Sequence, residues 1–128
     1  MLELAKVTKH DMVADLGSGD GRISIEFAKN DCHVDGFELD PKLVSKSKED
    51  IDSASLSDKI TINNTDFWDT DLSPYTVVAV YPMPDIMPQL EKKLIKELKP
   101  GSRVVTNYYT FPNWKHTHVK NKVYLYLR

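Results

Sequence analysis

The sequence predicts an α/β fold of the doubly wound type, with a mostly parallel sheet between layers of helices. Strand-like apolar runs alternate along the chain with segments that repeat apolar residues at helical spacing, which is the pattern of consecutive βαβ units. The run at 76–81 is almost continuously apolar, which indicates a strand covered on both faces. In such sheets ligands bind at the carboxyl ends of the strands, near the point where the strand order reverses.

Local patterns define the elements in chain order. After a short helix at 1–6, apolar runs and turn signals predict strands at 12–16, 34–39, 60–62, 76–81, 103–109 and 123–127. Helical spacing of apolar residues predicts helices at 22–29, 41–52 and 86–98. Asp40 is a favourable N-cap before Pro41, and Pro100 with Gly101 ends the last helix. The final strand is expected to pair antiparallel with part of 114–119, within a single domain of residues 1–128.

Composition narrows the classes of protein. The chain has 128 residues, a formal net charge of −2 and a sequence pI near 6.1, so it lacks the overall positive charge typical of nucleic-acid binders. Its single cysteine, Cys32, excludes an internal disulfide, and no apolar run has the length of a membrane span or a signal peptide. We therefore expect a cytoplasmic protein without a membrane partner, and the charge disfavours a nucleic-acid partner.

A glycine-dense turn follows the first strand and marks a site for a nucleoside cofactor. Asp15 is followed by Gly17, Gly19 and Gly21, which gives the pattern D-x-G-x-G-x-G. Glycines at a strand-to-helix turn allow positive φ and let the backbone approach a ligand closely. The dinucleotide-binding fingerprint would instead place its third glycine at the position of Arg22. A tight connection without a ligand is the alternative interpretation of this turn taken alone.

Acidic residues are predicted around the cofactor position. Asp15, Glu38 and Asp66 are each expected where a separate strand ends, and Asp20 lies in the glycine turn. Carboxylates attract a cationic ligand and repel a pyrophosphate. The sequence therefore favours a sulfonium cofactor over a dinucleotide.

The glycine turn resembles motif I of the class I methyltransferases that depend on S-adenosylmethionine (SAM), whose fold is Rossmann-like. The resemblance implies that Glu38 holds the ribose hydroxyls and that Asp66 accepts a hydrogen bond from the adenine amino group, with Phe67 or Trp68 covering the adenine. Backbone N–H groups near Gly21 are expected to hold the methionine carboxylate. The predicted cofactor-binding residues are Asp15, Gly17, Ser18, Gly19, Gly21, Glu38, Leu39, Asp66, Phe67 and Trp68.

The stretch from Asp66 to Trp114 carries a narrower resemblance. Its elements D-F-W-D-T-D-L-S-x-Y, P-x-P, L-E-x-K-L, E-L-K-P-G-x-R-V-V and F-P-x-W resemble the archaeal and mitochondrial protein-lysine methyltransferases. This resemblance implies transfer of methyl groups from SAM to lysine side chains of protein substrates. It also implies a segment ahead of Met1 that helps close over the cofactor, whereas this sequence begins almost directly at the helix before the first strand.

Residues after the fourth strand are expected to form the acceptor site. Methyltransferases of adenine or of side-chain amides usually carry an Asn- or Asp-Pro-Pro-aromatic motif here, and this chain has Tyr81, Pro82 and Met83 instead. We expect these residues and Trp114 to form an apolar channel that favours a neutral amine, with Asp85 attracting the incoming ammonium. The predicted catalytic residues are therefore Tyr81, Pro82, Asp85 and Trp114. Strand breaking, helix capping by Asp85 and core packing of Trp114 are the structural alternatives.

Other functions are also compatible with motif I. A methyltransferase for a small molecule or an RNA base is one alternative, and a SAM-binding module without catalysis is another. A metal site is not expected, because His116 and His118 alternate beside lysines without an acidic or thiol partner at ligand spacing.

Overall fold

The structure of the protein is a computed structural model that describes residues 1–80 and 83–128. Within these residues strands and helices alternate as predicted. The strands are β1 (Met12–Leu16), β2 (His33–Phe37), β3 (Ile60–Asn63), β4 (Val77–Val80), β5 (Arg103–Asn107), β6 (His118–Lys120) and β7 (Val123–Leu127). The helices are α1 (Leu2–Ala5), α2 (Arg22–Ala28), α3 (Pro41–Ser53) and α4 (Met87–Glu97), with short 3-10 helices at Phe67–Asp69 and Pro84–Ile86.

The strands form one sheet in the order β3-β2-β1-β4-β5-β7-β6. The first five strands in sequence pair in parallel, and β7 pairs antiparallel with both β5 and β6. The chain winds outward from β1 to β3 and then returns to place β4 on the other side of β1, so the strand order reverses between β1 and β4. The doubly wound sheet and its antiparallel C-terminal strands are thus confirmed, and the ligand crevice is expected above β1 and β4.

Alternating residues of the strands supply two apolar cores, one on each face of the sheet. In β4, Val78 and Val80 belong to the core covered by α4, where Leu90 is fully buried. Val77 and Ala79 belong to the core on the other face, which is covered by α1, α2 and α3. Because every residue of β4 is buried, the strand has no polar face, as its continuous apolar run predicted.

Three strand boundaries differ from the sequence prediction. β2 ends at Phe37, so Glu38 lies just beyond the strand, although its N–H still donates to the Asn63 carbonyl at 3.0 Å. β3 ends at Asn63, so the expectation that Asp66 ends this strand is wrong. β5 ends at Asn107, because Tyr108 has a φ of +69° that a strand cannot contain.

The helices begin close to their predicted positions. Asp40 caps α3 as predicted, since its carboxylate accepts the Lys42 N–H at 2.9 Å and Pro41 occupies the first helical position. α4 begins at Met87, because the preceding 84–86 segment is wound as a 3-10 helix. Within residues 1–80 and 83–128, none of the helices combines the length and apolarity that crossing a membrane requires.

Candidate active site

A cavity of about 790 Å³ opens at the carboxyl edge of the sheet, where β1, β2, β4 and β5 end. This volume lies in the range of pockets that enclose small organic ligands. Seven of the ten predicted cofactor-binding residues line it: Asp15, Gly17, Ser18, Gly19, Glu38, Leu39 and Phe67. The convergence of residues that are far apart in sequence follows from the parallel strands, which bring their carboxyl ends to one edge.

The glycine turn has the backbone that its sequence predicts. Gly17, Gly19 and Gly21 have φ of +69°, +58° and +87°, values that residues with a Cβ rarely adopt. Gly21 also packs against α3, where an added Cβ would lie 3.3 Å from the Ser47 side chain. Gly21 therefore has a packing role, and it does not line the cavity.

A glycine in β2 lets this turn pack down onto the sheet. The N–H groups of Gly17 and Ser18 both donate to the Phe37 carbonyl at 3.0 Å. A Cβ at Gly36 would lie 2.6 Å from Ile62 Cδ1 and 3.0 Å from the Ser18 side chain. Sequence reasoning missed Gly36, because a single glycine within a strand signals close packing only when its neighbours are known.

The start of α2 uses two of its backbone N–H groups in hydrogen bonds within the turn. The Gly21 N–H donates to the Ser18 carbonyl at 3.0 Å, and the Arg22 N–H donates to Asp20 Oδ1 at 3.3 Å. These two backbone donors are therefore already used within the turn, and the expectation that N–H groups near Gly21 hold the methionine carboxylate stays a prediction. Arg22 instead lines the cavity and offers a guanidinium, which also pairs with Asp20 at 3.0 Å.

Glu38 joins the glycine turn to the start of α3. Its Oε1 accepts the Gly19 N–H at 2.8 Å, and its Oε2 accepts the Asp40 N–H at 3.0 Å. A carboxylate has about four lone-pair sites, so each oxygen keeps one acceptor site while the two backbone donors hold the group in place. Glu38 lines the cavity, and this arrangement suits the acceptance of hydrogen bonds from a vicinal diol.

Asp15 places a buried carboxyl at the floor of the cavity. Its side chain is 3% exposed and accepts the Ser24 hydroxyl at 2.7 Å. Burial raises the pKa of Asp15 to about 6, and the charge of Glu38 adds to the rise, against the hydrogen bonds from Ser24. Since a nearby cation would favour the ionised form, this group makes the floor of the cavity attractive to positive charge.

Ser18 and Gly19 test whether a nucleoside cofactor fits the cavity. The Ser18 hydroxyl is buried and has no hydrogen-bond partner within residues 1–80 and 83–128, an arrangement that is unfavourable unless a ligand supplies one. A Cβ added at Gly19 would meet no atom within 4 Å, so this position faces open space rather than packed protein. With Glu38 beside them, these residues fit a SAM molecule.

The segment after β3 contributes fewer residues than expected. Phe67 is buried and lines the cavity together with Thr65, which sequence reasoning missed. The Asp66 carboxylate accepts the Trp68 N–H at 3.0 Å and so caps the 3-10 helix, and neither Asp66 nor Trp68 lines the cavity. The assignment of Asp66, Phe67 and Trp68 to the adenine remains a prediction. Of these three residues, Phe67 lines the cavity.

The opposite wall of the cavity lies above β4 and β5. Val80 and Met83 line it, together with Asn107 and Tyr108. Tyr81 and Pro82 lie outside the described residues. Asp85 is exposed in the first turn after this segment and does not line the cavity. Sequence reasoning missed Asn107 and Tyr108, because it extended the strand to residue 109 and assigned no site residue to its end.

Trp114 does not line the cavity, and its assignment to the acceptor site stays a prediction. Its indole N–H donates to the Leu127 carbonyl at 3.2 Å, and Leu127 pairs with Arg103 at the start of β5. The ring stacks on Phe111 with centroids 5.5 Å apart. Trp114 therefore packs toward the amino end of β5. Its hydrogen-bond partner Leu127 lies there, because β7 runs antiparallel to β5.

A buried carboxylate holds the segment that contains Trp114. Glu91 of α4 is 6% exposed and accepts the N–H groups of Asn113 and Trp114, both at 2.9 Å, and the Asn113 side-chain amide at 3.2 Å. These hydrogen bonds satisfy a buried charge and fix the chain between β5 and β6. Part of the F-P-x-W element is thus fixed to α4 by hydrogen bonds.

Comparisons with known proteins agree with this geometry. The family model described as the ANTKMT methyltransferase domain matches residues 15–118. A protein-lysine N-methyltransferase of Saccharolobus islandicus (strain REY15A) is 35% identical over 137 residues, covering 99% of this chain and 85% of that protein. The adenine nucleotide translocase lysine N-methyltransferase of Mus musculus is 35% identical over 106 residues, covering 80% of this chain and 45% of that protein. The chain thus spans about half the length of the vertebrate relatives that it matches.

A solved structure resembles the whole of the described fold. It is an RNA methyltransferase from Salinibacter ruber in complex with S-adenosyl-L-homocysteine, with a TM-score of 0.94 and 34% identity. The match covers 98% of this chain and 86% of that one. Its ligand is SAM without the transferred methyl group, which supports SAM as the cofactor of this chain.

Proposed function

We propose a function from the premise that this chain belongs to the ANTKMT methyltransferase domain family. The proposed function is the transfer of a methyl group from SAM to the side-chain amine of lysine in a protein substrate. The cofactor belongs to one wall of the cavity, formed by the glycine turn with Asp15 and Glu38. The acceptor belongs to the other wall, which contains Val80, Met83, Asn107 and Tyr108. The division of one cavity into an acidic wall and an apolar, aromatic wall is the observation that carries this proposal.

The acidic wall binds and orients the cofactor. Glu38 accepts hydrogen bonds from the ribose hydroxyls with the acceptor sites that Gly19 and Asp40 leave open, and the Ser18 hydroxyl gains a polar partner. Arg22 attracts the carboxylate of the amino-acid portion, while the charge of Asp15 favours the cationic portion. When bound, SAM supplies an electrophilic methyl group on a sulfonium sulfur.

The apolar wall prepares the acceptor amine. A lysine with the ordinary pKa of about 10.4 requires roughly 4–5 kcal/mol to lose its proton at pH 7. Val80, Met83 and Tyr108 line the cavity on this side, and an apolar surrounding lowers the pKa of an ammonium. The wall thus favours the neutral amine, and its shape holds the amine in line with the methyl group. The proposal keeps Tyr81 and Pro82 as acceptor-binding residues and Asp85 as the residue that attracts the ammonium.

RNA is the alternative acceptor, because the Salinibacter ruber relative is described as an RNA methyltransferase. The net charge of −2 argues against it, since RNA-binding proteins usually carry an excess of positive charge. A non-catalytic SAM-binding module is the other alternative. As part of the proposal we place the enzyme in the cytoplasm, on the ground that its one cysteine forms no internal disulfide.

Incubation with SAM labelled in its methyl group tests the acceptor class. The purified protein is mixed with a protein fraction and an RNA fraction of the same lysate in separate reactions, and the labelled residue is identified by mass spectrometry. We expect methyl-lysine in the protein fraction, a loss of label with Glu38→Ala and no loss with Glu49→Gln, an exposed position on α3. Label confined to RNA would establish the alternative acceptor, and no label in either fraction would favour the non-catalytic module.

A further inference from the structure

Tyr108 has an unusual backbone at the point where β5 ends. Its φ is +69°, and the Tyr109 N–H donates to the Asn107 carbonyl at 2.9 Å across it. A hydrogen bond between residues i and i+2 around a positive φ is the signature of the rarer, strained form of the γ-turn. A tyrosine is not among the residues that tolerate positive φ readily. Tyr108 therefore adopts an unfavourable backbone conformation that other contacts must stabilise.

The surroundings of Tyr108 hold this turn at three points. Besides the bond across the turn, the Thr106 hydroxyl donates to the Tyr109 carbonyl at 2.8 Å, and the Tyr108 N–H donates to the Lys122 carbonyl at 2.8 Å. Burial of the ring does not explain the conformation, because Tyr108 is 59% exposed. Strained residues kept in place by several contacts concentrate at binding and catalytic sites.

The ring of Tyr108 lies where an acceptor would enter the cavity. Tyr108 lines the cavity on the same wall as Val80 and Met83, opposite Glu38. It also contacts a cation, because Lys122 Nζ lies 5.7 Å from the centroid of the Tyr108 ring. This distance is within the range of a cation–π interaction. The ring thus presents one face to an alkylammonium at the rim of the methyl-transfer cavity.

We propose that Tyr108 is the residue that binds the acceptor lysine at the entrance, and that Lys122 competes with the acceptor for the same ring. The inference rests on the proposed function, since it assumes a lysine substrate. The strained turn holds the ring at the rim, and the incoming ammonium replaces Lys122 over it before the amine reaches the apolar wall. Tyr108 and Lys122 therefore set the affinity for the acceptor and leave the affinity for the cofactor unchanged.

Steady-state methylation of a lysine-containing protein, with the KM for the acceptor and kcat determined separately, tests the role of Tyr108. Tyr108→Asn removes the ring and retains tolerance of positive φ, so we expect the KM for the acceptor to rise about tenfold, within the usual strength of a cation–π interaction. Tyr108→Phe keeps the aromatic face and should retain a KM within about twofold of the wild type. Calorimetry with S-adenosyl-L-homocysteine and thermal unfolding of each variant check cofactor binding and folding.

Competition by Lys122 is tested on the same assay. Lys122→Gln should lower the KM for the acceptor by about two- to fivefold in the wild type and leave it unchanged when Tyr108→Asn is also present. Lys120→Gln is the matched control, since Lys120 lies in the same hairpin but pairs with Glu3 at 2.9 Å. We expect this control to have the KM of the wild type.

Two results would overturn the inference. One is a folded Tyr108→Asn enzyme whose KM for the acceptor is unchanged, and the other is a loss of activity fully explained by weaker binding of S-adenosyl-L-homocysteine. An equal effect of Lys122→Gln with and without the ring would refute the competition. Failure of the proposed function is seen separately, because the wild-type enzyme would then leave protein lysine unmethylated.

Discussion

The Glu38 carboxylate accepts the backbone N–H of Gly19 at 2.8 Å, which joins the end of β2 to the glycine turn that follows β1. Its other oxygen accepts the Asp40 N–H at the start of α3. The acid that the sequence assigns to the cofactor therefore also organises the loop that surrounds the cofactor. Its removal affects both the contact with the ligand and the shape of the ligand's surroundings.

Replacement of Glu38 tests both effects. Glu38→Gln keeps the size of the side chain but turns one acceptor into a donor, so we expect the affinity for S-adenosyl-L-homocysteine to fall by about 1.5–3 kcal/mol, the range for hydrogen bonds to a charged group. Glu38→Ala should lose at least as much and should also lower the thermal stability, because two backbone donors lose their partner. Calorimetry and thermal unfolding measure the two quantities, with Glu49→Gln as the control. An unchanged dissociation constant for both variants would remove Glu38 from the site.

The raised pKa of Asp15 predicts a pH dependence of stability. The pKa is about 6 in the folded protein and near 3.8 ordinarily, so between pH 4 and 6 the folded state binds more protons than the unfolded state. The free energy of unfolding therefore falls as the pH rises through this window, by up to about 3 kcal/mol from this group. Urea unfolding of the wild type and Asp15→Asn at several pH values tests this. The stability of the wild type relative to the variant should fall from pH 4 to 6 and stay level above it.

The same carboxyl predicts how cofactor binding responds to pH. Because a cation beside Asp15 favours its ionised form, the affinity for SAM should weaken as the pH falls below 6. S-Adenosyl-L-homocysteine lacks the sulfonium charge and should show a smaller change. Calorimetric titrations at pH 5 and 7 compare the two ligands. Identical pH dependence for both, or its persistence in Asp15→Asn, would contradict this role.

Gly36 predicts a steric link between the core and the cofactor loop. Gly36→Ala places a Cβ about 2.6 Å from Ile62 Cδ1 and 3.0 Å from Ser18, and overpacking of this kind costs about 1–3 kcal/mol of stability. Ile62→Val removes the terminal methyl group, so the double variant should lose less stability than the sum of the two single variants. Gly36→Ala should also weaken the binding of S-adenosyl-L-homocysteine, because its Cβ crowds Ser18. The double variant should bind equally weakly, because Ile62→Val does not relieve the contact with Ser18. Additive losses of stability would show that the two side chains do not clash.

The buried carboxylate of Glu91 predicts an effect on stability without an effect on the cofactor. Glu91→Gln replaces the charged oxygen that accepts the Asn113 and Trp114 N–H groups with a neutral one and should lower the free energy of unfolding by about 1–3 kcal/mol. The control Glu26→Gln removes an exposed ion pair with Lys29 and should change stability by less than about 1 kcal/mol. Urea unfolding measures both variants. A marked loss of affinity for S-adenosyl-L-homocysteine in Glu91→Gln would return the Trp114 segment to the active site.

Some of the site could be predicted because its residues follow local rules. The positive φ of Gly17, Gly19 and Gly21 was expected from their spacing in a strand-to-helix turn. Asp15 and Glu38 were expected at one edge, because parallel strands bring their carboxyl ends together. The same rule fails for Asp66, since β3 ends three residues earlier and the carboxylate caps a turn instead. Strand ends are set partly by neighbouring strands, which a local pattern does not record.

The sequence by itself determined the order of strands and helices along the chain, the conformation of the glycine turn and the kind of cofactor. These features depend on backbone preference, apolar periodicity and side-chain charge, which act over a few neighbouring residues. Only the tertiary structure decided which distant side chains meet. It carried Trp114 to the edge opposite the cavity through the antiparallel β7, and it brought Lys122 over the ring of Tyr108. It also gave Gly36 its role beneath Ser18. These contacts depend on strand register and packing, which arise when segments far apart in the chain bury their surfaces against one another.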